Sequence, residues 1–299
     1  MNLLITGAWK QAKKYMEILE ERGHCVEFLQ FEKDELPCKY EWVEGIIGNG
    51  IFLTHSIEKF QNLKYVQLTS AGFDRVPMDY VKEHGIMIDN ARGVYSVPMA
   101  EFAIAGVLSL YKKLQFFRDK QNVCTWEKNR NLKELYGKNI CIVGCGSVGT
   151  ECAKRFNAFG CTVLGVDINA KVDENFSKIY GIEDIEEILS ESDIVIITLP
   201  LTNTTYHIFD KKRLANIKNG AVIVNISRGG VIDTEALIEA LHDNLGGAVL
   251  DVFEEEPLSC SSPLWQMKNV IVTPHNSFVG ENNDKRLSKL ILENIGKRK

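Results

Sequence analysis

The stretch from Asn139 to Asp167, reading NICIVGCGSVGTECAKRFNAFGCTVLGVD, constrains this chain more than any other, because it carries every component of a strand–helix–strand crossover in order. An apolar run from Ile140 to Val143 meets a glycine turn, a helix-period segment follows, and a second apolar run from Val163 to Val166 ends in an acid. Each glycine has a distinct task. Gly144 permits the tight turn, Gly146 lets the backbone approach a pyrophosphate, and Gly149 lets the helix pack against the strand. Ser147 and Val148 open the helix, where phosphates are held by free amides. Asp167 lies 18 residues beyond Gly149, at a strand end where a carboxylate can accept both ribose hydroxyls of an adenosine. A bare GxGxxG also occurs in ordinary loops, and Asp167 alone would be a strand-end turn residue; the flanking strands and the spacing point to dinucleotide binding. An acid repels a 2′-phosphate and no Arg or Lys follows until Lys171, so the expected cofactor is NAD rather than its phosphorylated form.

With 299 residues, 45% hydrophobic and 25% charged, the chain falls among globular proteins large enough for two domains. A net charge of -5 with scattered Lys and Arg gives no basic stripe, so nucleic acid is not expected as a partner, and with no apolar stretch long enough to span a bilayer a membrane is not expected either. The opening MNLLITGAWK has an apolar run too short for a signal-peptide core, and the expected location is cytoplasmic. The eight cysteines form no CxxC pair and are read as reduced and mostly buried, and no metal site is expected.

Short apolar runs alternate with helical patterns along the chain, which predicts parallel sheets linked by crossover helices. Leu3 to Thr6, Cys25 to Leu29, Gly45 to Ile47, Tyr65 to Leu68 and Ile86 to Ile88 make the strands of a first unit. Ile140 to Val143, Val163 to Val166, Ile194 to Leu199, Ala221 to Asn225, Gly247 to Asp251 and Val270 to Thr273 make those of a second. Between them Ser96, read as an N-cap, opens a helix that is apolar on nearly every face. Such a helix must be covered all round, at a domain junction, at a subunit interface or as the core helix of one domain. The last segment has Leu287, Leu290, Ile291 and Ile295 on one helical face and is expected to return to the first unit. The domains are therefore residues 1–95 with 276–299, and residues 96–275.

Nicotinamide chemistry on a hydroxy or keto acid needs a cation for the carboxylate, an acid for the carbonyl oxygen and a group that tunes that acid. Arg228 follows the strand AVIVNIS and precedes two glycines, at the sheet edge where open α/β sheets bind ligands. His275 ends the strand VIVTPH, directly after a proline that restricts the backbone. Glu254, Glu255 and Glu256 precede Pro257, and one of them could reach the imidazole; spacing does not choose among them. The other histidines, His24, His55, His84, His207 and His242, fall near helix ends or in loops, where surface capping is the commoner role.

These residues resemble the NAD-dependent D-isomer-specific 2-hydroxyacid dehydrogenases. The similarity runs from SAGFDRV (70 to 76), MAEFAIAGVL (99 to 108) and LYGKNICIVGCGSVG (135 to 149) through IITLPLTNTTYHIF (196 to 209) and VNISRGGVID (224 to 233) to LDVFEEEPL (250 to 258) and NVIVTPHNS (269 to 277). The resemblance implies a Rossmann NAD-binding domain inserted into a flavodoxin-like substrate domain, both doubly wound α/β units. It implies Arg228, Glu256 and His275 as the catalytic residues, and so selects Glu256 from the run. It places Asp251 near the nicotinamide carboxamide, with Leu199, Pro200, Thr205, Ile226, Ser227 and Ser277 around the cofactor. It also assigns the substrate carboxylate to main-chain amides at Ala71 and Gly72, beside Arg228. Arg92 and Tyr95 stand where many relatives carry Pro and Asn, which implies a different hinge and substrate mouth.

The expected activity is interconversion of a small 2-keto acid and its D-2-hydroxy acid by hydride transfer from NADH. A homodimer is expected from the apolar helix and from the resemblance. The competing reading is an NAD(H)-sensing corepressor-like protein with little turnover, since such members of the family keep the same three residues.

Overall fold

The computed structural model of the chain describes residues 1–298. It divides into two compact units, Met1–Tyr95 with Gly280–Lys299, and Ser96–Val279. In the first unit, strands β1 (Asn2–Thr6), β2 (Cys25–Leu29), β3 (Gly45–Gly48), β4 (Tyr65–Leu68) and β5 (Met87–Asp89) form one parallel sheet in the order β2-β1-β3-β4-β5. Helices α1 (Ala12–Glu21) and α2 (Met78–Glu83) connect strands within it. The order is that of a flavodoxin-like sheet, with its reversal at β1 and β3. Alternate side chains feed two separate cores: Leu4, Ile46 and Val66 on one face, Leu3, Ile5, Ile47 and Tyr65 on the other. Strands covered on both faces must be apolar at nearly every position, which explains the short continuous runs in the sequence.

The second unit opens with α3 (Ser96–Tyr111) and α4 (Leu114–Asn122) and continues through β6 (Asn139–Val143), α5 (Ser147–Ala158), β7 (Thr162–Val166) and β8 (Lys178–Tyr180). There follow α6 (Ile185–Glu191), β9 (Ile194–Ile197), α7 (Lys211–Asn216), β10 (Val222–Asn225), α8 (Thr234–Asp243), β11 (Gly247–Leu250) and β12 (Val270–Val272). All seven strands are parallel, in the order β12-β11-β10-β9-β6-β7-β8. The chain runs outward from β6 to β8 and then crosses back to β9, so the topological switch lies between β6 and β9, where crevices form at carboxyl ends. Residues of α6, α7 and α8 cover one face, over Val143, Val195 and Ile223; α3 and α5 cover the other, over Ile140, Ile194 and Val224.

The apolar helix is thus a core helix of the second unit. Ala100, Ala103, Val107 and Tyr111 are buried with α5, and Gly106 lies so close to β11 that a β-carbon there would meet Val249 Cγ1 at 2.6 Å. Ser96 is already helical and buried rather than a flanking cap. Strand β8 was not anticipated, because its three residues include a lysine and carry no run. Leu199 and Thr273, expected in strands, lie beyond their ends in the turns of the carboxyl edge, and Ile86 just precedes β5. The cysteines are free, but only Cys141, Cys152 and Cys161 are buried; Cys25, Cys124 and Cys260 are exposed because they fall at a strand start and in loops. Among the described residues no helix is long and apolar enough to cross a membrane.

The closing helix α9 (Asn283–Gly296) packs in the first unit, with Leu287, Ile291 and Ile295 buried beside Leu3, Trp9 and Leu19. Leu290, on the flank of that face, is only partly buried. Trp9 donates its indole N–H to Ser288 Oγ at 2.9 Å, a buried pairing that leaves neither polar group unsatisfied. Arg298 adds an ion pair to Asp89 at 2.8 Å, which also accepts from Tyr65. Replacing Ile291, which is fully buried, with alanine should cost about 2–5 kcal/mol, measurable as a lowered urea midpoint of the unit.

Candidate active site

The candidate residues of the second unit lie in the turns that leave the carboxyl ends of β6, β7 and β9 to β12 and, for Ser147, Val148 and Gly149, in the first turn of α5. At the end of β6 the chain turns through Gly144 at φ +100°, where a β-carbon would come to 3.0 Å from the Thr198 backbone. Thr198 donates its hydroxyl to Gly144 O at 2.6 Å and its amide to Val143 O at 2.9 Å, tying the turn to the end of β9. Gly149 is closer still, since its β-carbon would lie 2.2 Å from Gly144 O. Gly146 caps α5, and neither a capping side chain nor an acidic residue occupies that first turn, which begins with Ser147 and Val148. Cys145 sits between the glycines. Burial, then the charges of Asp167 and Asp173, push its thiol up to about 12, so it stays protonated and inert.

Asp167 directly follows β7. Its Oδ2 accepts the Cys145 amide and its Oδ1 the Asn169 amide, both at 2.8 Å. On the far side of the switch, Leu199 and Pro200 continue from β9. Thr205 donates to Pro200 O at 2.6 Å and accepts the Thr202 amide at 2.8 Å, closing its own turn.

Arg228 follows β10. Ile226 and Ser227 before it are buried, and Ser227 donates both amide and hydroxyl to Asn225 Oδ1. Asn225 Nδ2 donates to Arg228 O at 3.0 Å, and the guanidinium, half-buried, donates through Nη1 to Ser227 O at 2.8 Å. The next residue must be glycine. A β-carbon on Gly229 would fall 1.8 Å from the Phe253 carbonyl carbon, so the turns after β10 and β11 lie directly on one another.

The structure separates the three glutamates. Glu256 Oε1 accepts the Phe253 amide at 3.0 Å and its Oε2 lies 2.9 Å from His275 Nδ1. Glu255 is exposed. Glu254 turns elsewhere: its Oε1 lies 2.5 Å from His207 Nε2, and its Oε2 accepts the Thr234 amide at 2.9 Å and the Thr234 hydroxyl. Burial opposes the charge on Glu254, but the Thr234 and His207 donors prevail and hold its carboxyl below the usual range. His207 is therefore a paired residue and not a capping one. Its sequence signal was absent, because the partner is 47 residues away. His24 and His55 also depart from the surface reading, being buried; His55 is held by Tyr40 and by Asp34 O.

His275 has a left-handed backbone, φ +50°, which costs a non-glycine residue about 1–2 kcal/mol. Asp251 compensates for it. This fully buried acid accepts from the Thr273 hydroxyl (2.7 Å), the Asn276 amide (2.7 Å) and the Ser277 amide (2.9 Å), while its own carbonyl accepts the His275 amide at 2.7 Å. With Nδ1 of His275 against a carboxylate, Nε2 is the ring nitrogen turned away from that partner.

In the first unit, Ala71 and Gly72 lie in the turn after β4. Ala71 O accepts from Asn90 Nδ2 at 2.6 Å, and Gly72 O from Ser70 Oγ at 3.1 Å. Tyr95 donates its hydroxyl to Thr69 O, and Arg92 is exposed. Among the described residues no group of three or more His, Cys, Asp or Glu is placed to hold a metal ion.

The switch-point turns suit a dinucleotide. The glycines leave room that any side chain would fill, the first turn of α5 carries no capping side chain and no acid, and a fixed carboxylate stands at the end of the neighbouring strand. From β7 to β10 there are three strand spacings, roughly 14 Å at about 4.8 Å each, a distance on the scale of an extended dinucleotide. Because a Gly149 β-carbon would strike Gly144 O, Gly149→Ala should displace this turn and abolish NADH binding, as read by quenching of protein fluorescence, while the protein stays folded by circular dichroism.

Residues 104–277 match the family described as D-isomer specific 2-hydroxyacid dehydrogenase, NAD binding domain. The chain is 34% identical over 278 residues to the glyoxylate reductase of Thermofilum pendens, covering 88% of this chain and 82% of that one. It is 33% identical over 288 residues to the D-3-phosphoglycerate dehydrogenase of Methanocaldococcus jannaschii, of which it spans 55%. The D-lactate dehydrogenase of Aquifex aeolicus, solved with NAD and lactic acid, superposes with a TM-score of 0.79 at 25% identity, covering 99% of this chain and 94% of that one. With two parallel α/β units, a dinucleotide cradle and these relatives in agreement, the chain belongs to the D-isomer-specific 2-hydroxyacid dehydrogenases and is an NAD-dependent enzyme of that family.

Proposed function

We propose that the protein reduces a small 2-keto acid to the D-2-hydroxy acid with NADH, using Arg228, Glu256 and His275. The observation that carries this reading is the 2.9 Å contact between His275 Nδ1 and Glu256 Oε2 on turns of neighbouring strands, next to the strand that bears Arg228. A bound nicotinamide supplies the hydride. Glu256 fixes the tautomer and the direction of the ring, so His275 Nε2 delivers a proton to the carbonyl oxygen and recovers it in the reverse direction. Arg228 presents a planar pair of donors to the substrate carboxylate and polarises the carbonyl. Ala71 and Gly72, in the first unit, are proposed as main-chain amide donors to a substrate carboxylate. Asp251 and Ser277 serve by holding the His275 turn, with Ile226 and Ser227 shaping the floor beside Arg228. Asp167 disfavours NADPH, because a 2′-phosphate would face a carboxylate already anchored to two amides.

The relatives named for glyoxylate support a small keto acid as the substrate class. Steady-state NADH oxidation with glyoxylate, hydroxypyruvate, pyruvate and 3-phosphohydroxypyruvate tests this, with NADPH as the poorer donor. His275→Gln should lower kcat by about 100- to 10,000-fold with NADH still bound. Arg228→Ala should also raise the substrate KM, by about 10- to 100-fold. Full activity in either variant, or NADH binding without turnover of any keto acid by the unaltered protein, would overturn the reading.

The protein is further proposed to act as a homodimer. Beyond α3 it exposes the large apolar side chains of Leu114, Val123 and Trp126, the last 97% accessible, which a second copy would cover. Gel filtration should give twice the chain mass, and Trp126→Glu should return it to that of one chain.

A further inference from the structure

The turns that carry Arg228 and Glu256 are joined by a second imidazole–carboxylate pair that the reaction does not use. We propose that His207 and Glu254 are positioning residues: together they lock the Arg228 turn against the Glu256 turn, so that the guanidinium and the His275–Glu256 pair face one substrate. This inference rests on the catalytic reading above.

An exposed ion pair contributes little by itself, about 0–1 kcal/mol, and its two side chains here are each about one-third exposed. The connectivity argues for more. Glu254 uses both oxygens on donors from two different turns, the His207 ring after β9 and Thr234 at the start of α8. At the amide end of α8 its charge also meets the positive end of the helix dipole. His207 holds the other side: its amide donates to Gly230 O at 2.8 Å, and Phe209 exchanges backbone bonds with Val231 and Asp233. The segment from Arg228 to Thr234 is thereby gripped at Gly230, Val231, Asp233 and Thr234. It is also pressed at Gly229 against Phe253, whose amide holds Glu256. His207 reaches this place with a left-handed backbone, φ +49°, and with its ring stacked on Tyr206 at 4.0 Å between centroids, so the ring direction is set before it meets Glu254. His275 has the same backbone sign, which makes two turns of this edge that aim an imidazole at a glutamate two residues from the other one.

The test compares Glu254→Ala, His207→Phe and His207→Gln with the unaltered full chain. Kinetics use whichever of the four keto acids turns over fastest. Glu254→Ala and His207→Phe should lower kcat by about 10- to 100-fold, the scale of a small misplacement of catalytic groups, and raise the keto-acid KM, with the NADH dissociation constant unchanged. His207→Gln, which keeps a donor, should recover most of kcat. Backbone hydrogen exchange should rise together at 228–231 and 253–256 in the first two variants and not in the third. Unaltered kcat and exchange, or a loss of NADH affinity equal to the loss of kcat, would overturn the proposal. Should Glu254→Ala fail to fold, the Phe and Gln variants of His207 decide. Should the unaltered protein turn over no keto acid, the catalytic reading falls, and the paired exchange response alone then supports or refutes the lock.

Discussion

A single buried carboxylate organises the reactive end of the second unit. Asp251 closes β11 with no exposed surface, a position that disfavours a charge unless donors replace the lost water. Three do so, and all three belong to the turn after β12. The same residue's carbonyl holds the His275 amide. The imidazole is therefore aimed from below by an acid and from the side by another, Glu256, and the unfavourable backbone sign of His275 persists because its surroundings over-determine it. The resemblance pointed to Asp251 as a cofactor contact; its hydrogen bonds give it a structural task whatever else it touches.

Acids that leave a strand and reach back to amides recur in both units. Asp167, after β7, takes the Cys145 amide of the neighbouring turn. Glu32, shortly after β2, accepts the Thr6 hydroxyl and the amides of Asn49 and Gly50, joining the ends of β1 and β3. In a parallel sheet the carboxyl edge collects turns whose amides no longer have ladder partners, and a carboxylate satisfies several at once. The Glu254 bonds to Thr234 and His207 are a third instance.

Much of this was legible in the sequence because a parallel sheet covered on both faces needs unbroken apolar runs. IIG, YVQL, IVII, VIVN and GAVL all became strands; KIY, with its lysine and its place on the edge, left no such mark. The glycine turn was equally readable, since close approach at Gly144 and Gly149 admits no other residue. Gly229 shows the opposite case: its need for hydrogen alone comes from Phe253, 24 positions away, which no local pattern reveals. The three adjacent glutamates carried identical local information and were divided only by partners distant in sequence, one at His275, one at His207 and Thr234, one in solvent. The apolar helix α3 left its partner open for the same reason, because uniform hydrophobicity states that a helix is covered and not by what.

The anchoring of Asp167 also bears on how cofactor choice can change. A side chain free to rotate could turn away from an extra phosphate and let a nearby cation take over, so that one substitution would broaden selectivity. Here the carboxylate is a strut of the glycine turn after β6, and swinging it aside would unseat the Cys145 amide. On the function proposed above, selectivity and phosphate grip are mechanically one part, and an evolutionary route to the other coenzyme must rebuild both together.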